Sequence, residues 1–375
     1  MSEKLEFKPS VAEREAQGKE MLKRLTLRLT EAGLSEDALN QYRDLIERVN
    51  FSNIDFDSPE GKIHVDMFAA LLSRQPNGEV YFQNILAAIN KDWHEIKELS
   101  VVSVKEVVAE SIDLDIGTNR RVDRVKCAFG DNDAYEFTLS ADLEDHVDPR
   151  ESNSFVEKEV YDSPTAKNNP WLQKYFGYME TKLSGRSYRL IAKEYLPGKN
   201  IAQYCNELEP EPEISSEFIN VACEAAYTMG GIYKHMQGRI LSDLKLENII
   251  YNYQNTDSAE PACRICDHSG IYDNEPERHG VAQILAQLSS LIEMYYAKAR
   301  HINGVNDEDC REVAVEITSA YIESFLSEAG EENEQSFFEQ IANLKTENIN
   351  TRPFDLSDDL LDYILINKSA FEAAA

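Results

Sequence analysis

The sequence predicts an α+β fold in which a helical stretch, a strand-rich stretch and a second helical stretch follow one another. Three observations carry this expectation. Apolar residues recur at helical spacing up to about residue 98, the hydrophobic period shortens to two over about 99–196, and helical spacing returns around an acidic, proline-broken segment, ELEPEPE at 207–213. The length of 375 residues, at roughly 100–200 residues per domain, suggests two or three domains. The pattern places them at 1–98, 99–196 and 197–375.

In KEMLKRLTLRLTEAGL, Leu22, Leu25, Leu27 and Leu29 supply the apolar positions of a helix that Gly33 closes. Ser35 opens SEDALNQYRDLIERVNF, with Glu36 and Asp37 at the end where the helix dipole favours negative charge. DMFAALLSRQ and EVYFQNILAAINKDWHEIKEL continue the helical stretch. Between them, Asp55, Asp57 and Asp66 are similar to a calcium loop. An EF-hand requires Gly at its sixth position and a bidentate Glu at its twelfth. Glu60 and Asp66 occupy those places, so a solvated loop is expected.

From about residue 100, VVSVKEVVAESIDL, RRVDRVKCAFG and AYEFTLSAD alternate as strands, separated by turn signals at Gly117-Thr118-Asn119 and Gly130-Asp131-Asn132-Asp133. SNSFVEKEVYDS is a short helix with Ser152 or Ser154 as its cap. KYFGYMETKL and SYRLIAKEYL form two further strands around a turn at Ser184-Gly185, and FINVACEAAYTMGGIYKHM is helical again. The apolar helix at 281–296 belongs to a core, and no repeat of 20 to 50 residues is visible.

Composition narrows the function. Hydrophobic residues make up 42 % and charged residues 28 %, enough for a buried core and against wholesale disorder. The 38 Lys and Arg stand against 68 Asp and Glu, a net charge of −30, which repels phosphate backbones and anionic lipid and argues against nucleic acid or membrane as the principal partner. No apolar run approaches 18 residues, so no transmembrane helix is expected, and MSEKLEFKPSVAERE lacks the apolar region of a secretory signal. Six cysteines, at 127, 205, 223, 263, 266 and 310, are scattered as reduced thiols of a cytosolic protein would be. Cys263 and Cys266 form a lone CxxC that cannot complete a four-ligand zinc site.

The chemistry concentrates in RILSDLKLENIIYN, 239–252, and CRICDHSG, 263–270. Asp243 and Asn248 flank Lys245 on a loop between apolar strands, and Asp267 ends a second strand about twenty residues later. A hairpin would set Asp267 beside Asn248. A carboxylate next to a carboxamide suits Mg²⁺ or Mn²⁺ with few protein ligands, phosphates and water supplying the rest. Asp243 would orient a nucleophile and Lys245 would neutralise charge on a transferred group.

SDLKLENIIYN resembles the catalytic loop of the protein-kinase superfamily, and ICDHSG resembles its metal-binding DFG strand. RLIAKEYLPGKNIAQYC, 189–205, resembles the strand–hinge–helix linker between kinase lobes. KEVYDSPTAKNNPWLQKYFGYME, 158–180, resembles the regulatory helix running into the fourth strand. The resemblance spans about 100–280. It implies a bilobal protein-kinase-like fold: a small antiparallel sheet lobe with one helix, a larger helical lobe, and 1–98 as a helical extension. It also implies ATP as cofactor, with adenine on the backbone near Glu194 to Leu196, metal at Asn248 and Asp267, Asp243 and Lys245 as catalytic residues, and Glu159 as the ion-pairing glutamate, with Glu157 competing for that role. Lys245, two residues after the Asp, is similar to Ser/Thr protein kinases, so a protein substrate is expected.

The departures are specific. Leu241-Ser242 replaces the His-Arg of the catalytic loop, Asp267-His268-Ser269 replaces DFG, and no glycine-rich phosphate loop precedes the second strand. The strand position of the phosphate-binding lysine falls on Ser140. A lysine from the neighbouring strand, as in the with-no-lysine kinases, is then expected, with Lys126 the first choice over Arg124 and Arg121. About ten residues, IYDNEPERHG, stand where an activation segment would run. This style of divergence resembles atypical kinases that bacteria deliver into host cells without a classical signal peptide. It implies a host-derived or polyanionic activator, for which Lys182, Arg186 and Arg189 are candidates. AMPylation on the same fold and a non-catalytic pseudokinase scaffold are the alternative functions.

Overall fold

Glycine and serine punctuate the first helices. The computed structural model describes residues 11–52, 58–75, 78–93, 104–111, 120–129, 134–142, 153–162, 166, 169–183, 185–207, 215–235, 239–241, 246–252, 261–267, 271–273, 280–303, 307–329, 331–346 and 357–374. Helix α1 (Val11–Glu31) ends in a Schellman turn: Gly33 takes φ 98°, Leu34 N–H bonds to Leu29 C=O and Gly33 N–H to Thr30 C=O. Ser35 then accepts the Ala38 N–H at 3.2 Å and caps α2 (Glu36–Gln41). The segment read as one helix from Ser35 breaks instead into α2, α3 (Arg43–Ile46) and strand β1 (Val49–Ser52). Val49 and Phe51 gain ladder partners there, because β1 pairs in parallel with β2 (Glu106–Ser111), Val49 opposite Val107. Ser58 caps α4 (Pro59–Leu72), with Pro59 in the first turn where its missing N–H is harmless, and α5 (Tyr81–Trp93) follows.

Strands β3 (Arg120–Ala128), β4 (Ala134–Asp142), β5 (Tyr175–Leu183) and β6 (Arg186–Glu194) complete a six-stranded sheet of order β1-β2-β3-β4-β6-β5, antiparallel apart from β1. Gly185, at φ 80°, turns β5 into β6. The two faces of the sheet differ in kind. One bears Val107, Val125, Phe137, Leu139 and Leu190, which are buried in one apolar cluster with Leu29, Phe68, Phe82 and Ile85 of the helices. The helices expected over 1–98 therefore share a single core with the strands, and 1–155 with 174–195 form one compact unit.

Two polar links cross this core from α4. His64 Nδ1 lies 2.5 Å from Asp123 Oδ1 on β3, both side chains buried. The Tyr188 hydroxyl of β6 donates to Asp66 at 2.6 Å. Asp66 thus sits inside a helix with its carboxylate engaged, which removes it from the calcium-loop comparison; Asp55 and Asp57 lie outside the described residues.

The second compact unit comprises 156–173 and 196–375, so most of α6 (Asn153–Asp162), expected among the strands of 99–196, groups with the C-terminal elements. These are β7 (Lys199–Asn200), α7 (Ile201–Glu207), α8 (Ser216–His235), β8 (Arg239–Leu241), β9 (Ile249–Tyr251), β10 (Cys263–Ile265), β11 (Ile271–Asp273), α9 (Gly280–Asn303), α10 (Asp307–Ala329), α11 (Glu331–Thr346), α12 (Asp358–Ile366) and α13 (Lys368–Ala374). Helices α8 and α10 approach closely at Gly230, where a Cβ would stand 2.2 Å from the Tyr321 carbonyl oxygen. As expected from the apolar run at 281–296, Leu285, Leu288, Leu291 and Tyr295 of α9 are fully buried. Among the described residues no helix is long and apolar enough to cross a membrane.

Candidate functional site

Asn248 ends a 3-10 turn, Leu246–Asn248, that leads directly into β9. β9 pairs antiparallel with β10, Ile249 opposite Ile265, and one residue further the Cys266 N–H donates to the Asn248 carbonyl at 3.0 Å. The hairpin expected between these segments is therefore present, and Asp267 follows the residue that faces Asn248. Both side chains are half-buried, accessible rather than sealed in core.

β10 is held on its other edge as well. Ile265 N–H bonds to Trp171 C=O at 2.8 Å, Gln173 N–H to Ile265 C=O at 3.1 Å, and the Arg264 guanidinium to Leu172 C=O at 2.8 Å. The Thr228 hydroxyl of α8 donates to Cys263 C=O at 2.9 Å. With its strand bonded along both edges, the Asp267 backbone has little freedom to drift.

The third strand of this sheet, β7, brings in the segment 196–200: Lys199 pairs with Tyr251 and Asn200 with Ile250. Gly198 precedes it at φ 129°, and a Cβ there would stand 2.2 Å from the Tyr251 carbonyl oxygen. Only glycine meets both demands. Leu196 is buried, and no hydrogen bond from another described residue reaches its backbone N–H or C=O. One small sheet, β10-β9-β7, thus carries Asp267, Asn248 and the chain that leads from Leu196.

Asn248 and Asp267 bear hard-oxygen side chains at one end of this hairpin, and two such ligands would leave most of a coordination shell to water or an anionic ligand. Among the described residues no group of three or more His, Cys, Asp or Glu could hold a metal unaided. Burial drives the Cys263 thiol well above its ordinary range, and the Cys266 thiol donates to Asn248 C=O at 3.4 Å. Asp243, Lys245, Ser242 and His268 lie outside the described residues. On the flanks, Leu241 of β8 pairs with Ile271 of β11.

The first unit holds Glu194, Tyr195, Arg121, Arg124 and Lys126. Glu194 is buried at the end of β6, its N–H donating to Lys174 C=O at 2.8 Å and its carboxylate accepting the Lys174 N–H at 3.2 Å. Tyr195, next to it, lies under the Arg124 guanidinium, 4.2 Å from ring centroid, while Arg124 also bonds Glu136 at 2.6 Å. Arg124 is thereby committed to fixing this segment. Lys126 has a side chain 46 % exposed and pairs with Glu136 at 3.4 Å, a solvated cross-strand ion pair rather than an inward-reaching cation. Arg121 stands on the opposite face of β3, two residues from Asp123.

On α6, Glu159 is exposed and paired with Lys158 at 3.6 Å, whereas Glu157 is 0 % exposed. The buried acid of this helix is Glu157. Lys182, Arg186 and Arg189 do not form one cluster. Lys182 pairs across the hairpin with Ser187, Arg186 with Leu183 on the opposite face, and Arg189 lies 4.0 Å from Glu180.

Sequence reasoning missed Lys193. It is 3 % exposed on β6, opposite Thr138 of β4, and so shares a face with Ser140, which pairs with the neighbouring Ile191. The signal was a single lysine closing the apolar run Leu190-Ile191-Ala192, since a fully buried lysine is rare unless its charge is employed. No protein-family model matches the chain, and no curated protein matches it.

Proposed function

We propose that the chain is an ATP-dependent phosphotransferase, a divergent Ser/Thr protein kinase of bilobal, kinase-like architecture that acts on a protein substrate with Mg²⁺ or Mn²⁺. The observation that supports the reading is the β9–β10 hairpin, in which Asn248 faces Cys266, the residue before Asp267, and β10 is bonded along both edges. In this reading Asp267 and Asn248 hold the metal, and phosphate oxygens and water complete its shell. The backbone polar groups of Leu196, unbonded among the described residues, support adenine recognition along Glu194–Leu196, with Tyr195 steadied by Arg124.

Asp243 accepts the proton of the acceptor hydroxyl as its oxygen attacks the γ-phosphorus. The bond to the β–γ bridging oxygen breaks, ADP leaves with the electron pair, and Lys245 neutralises charge on the transferring group. Lys193 supplies the phosphate-facing cation that Ser140 does not, in preference to Lys126, because its side chain is buried on the Ser140 face. Glu157 takes the role read at Glu159.

The test is paired label transfer. The chain is incubated with Mg²⁺ or Mn²⁺ and either γ- or α-labelled ATP, with and without eukaryotic lysate, beside Asp267→Ala. Label from γ alone, lost in the variant, is expected. Label from α assigns nucleotidyl transfer instead, and absence of both label and ATP binding leaves a scaffold.

A further inference from the structure

A cleft of about 510 Å³ opens in the first unit between the α1–α2 turn, the end of α4 and the end of β5. Its volume is that of a small-molecule site. Arg74 and Lys182 line it, against one acid, Asp37. Neither Arg74 nor Lys182 makes an ion pair among the described residues.

Tyr42 adds a second, independent observation. The residue is 6 % exposed and lines the cleft, and its hydroxyl has no hydrogen-bond partner among the described residues. The phenol is therefore available to hydrogen-bond a guest of the cleft. The Arg74 charge acts on the same phenol, opposing the upward push of burial on its pKa. Ser35 contributes a further donor. Its oxygen accepts the Ala38 N–H at 3.2 Å, which leaves its own proton to donate, and Thr181 also lines the cleft.

We propose that this cleft binds a small phosphate ester. A guanidinium fork, an ammonium and three hydroxyls present more donors than one carboxylate accepts, and they suit the terminal oxygens of a phosphate. The net charge of −30 excludes a long polyanion at the same place, because its remaining charges would meet an acidic surface. The site is distinct from the metal and nucleotide residues of the proposed transfer reaction and does not depend on that assignment.

Isothermal titration with inorganic pyrophosphate and with inorganic phosphate, in EDTA, tests it on the wild-type chain, on the double variant Arg74→Gln/Lys182→Gln, on Tyr42→Phe and on Asp267→Ala. Wild type and Asp267→Ala should bind pyrophosphate alike. The double variant should lose at least about tenfold in affinity, the scale of charge-assisted hydrogen bonds to phosphate, and Tyr42→Phe should lose several-fold. Arg74 and Lys182 are exposed, so the double variant keeps its fold. Equal binding by wild type and double variant overturns the proposal, as does the absence of binding by wild type up to about 10 mM, beyond which a specific site has no meaning. Loss of binding in Asp267→Ala overturns it too, by assigning the anion to the metal-site residues.

Discussion

Lys193 and His64 are both buried charged or chargeable side chains, and each depends on what faces it. For Lys193 the proposed partner is a nucleotide phosphate. Lys193→Met keeps the volume and removes the charge. It should weaken ATP binding by about tenfold or more, the usual scale for a hydrogen bond to a charged group, while circular dichroism stays unchanged. Moving the cation to the diagonal strand position, as Ser140→Lys with Lys193→Met, should restore part of the affinity. Equal ATP affinities of Lys193→Met and wild type would remove Lys193 from the site. For His64 the partner is Asp123, whose carboxyl is pushed up by burial and drawn back down by the imidazole. His64→Ala strands Asp123 in the core and should destabilise the fold by about 3–5 kcal/mol at neutral pH. With the imidazole gone, burial raises the folded-state pKa of Asp123 further. That stabilising protonation is fully present below the unfolded pKa and is lost as pH rises through the folded one. The deficit of His64→Ala against wild type should therefore shrink on acidification. A deficit that grew toward acid, in paired denaturant titrations, would contradict this account of the pair.

Elements meet through glycines at two places that matter for the site. At Gly230 the backbones of α8 and α10 are in contact, and Gly230→Ala drives a methyl into the Tyr321 carbonyl. Overpacking of this kind costs about 1–3 kcal/mol, read as a lower denaturation midpoint. At Gly198 the obstacle is the Tyr251 carbonyl and the conformation is left-handed, so Gly198→Ala should also misplace β7 against β9 and lower nucleotide affinity beyond its effect on stability. An unchanged affinity in Gly198→Ala would detach the 196–200 segment from the site. These contacts also mark where sequence reasoning stops. The strands over 106–194 and the Gly185 turn were legible because period-two alternation and turn residues are local signals. β1 was not, since four residues at the end of a helical pattern become a strand only by pairing with β2, far along the chain. The β9–β10 pairing was legible because two short apolar runs of matching length imply a hairpin. Lys193 was not, because strand lysines ordinarily face water, and its burial follows from where β4 and β6 lie in the sheet. Glu159 and Glu157 differ by two positions on a ten-residue helix, and only the packing distinguishes which one turns inward.

At the scale of the whole molecule, the net charge of −30 sets the field through which any nucleotide arrives. A metal–ATP complex is itself an anion, so the long-range force on it is repulsive whatever contacts the proposed site would make. Screening acts on the first force more than on the second, because surface charges more than a Debye length apart, about 10 Å at 0.1 M salt, cease to interact while buried groups remain close to their ligand. The association rate of Mg²⁺–ATP should accordingly rise with ionic strength between about 20 and 150 mM, against the fall seen where protein and ligand carry opposite charge. The dissociation rate should change little. Stopped-flow fluorescence with a labelled ATP analogue reads both rates. A falling association rate would mean that a local basic field governs approach, and the same titration on Arg74→Gln/Lys182→Gln would then show whether the α4–β5 cleft is its source. A rising rate would mean that the acidic surface as a whole selects against free ATP and larger polyanions, favouring the metal complex, which carries the smaller negative charge.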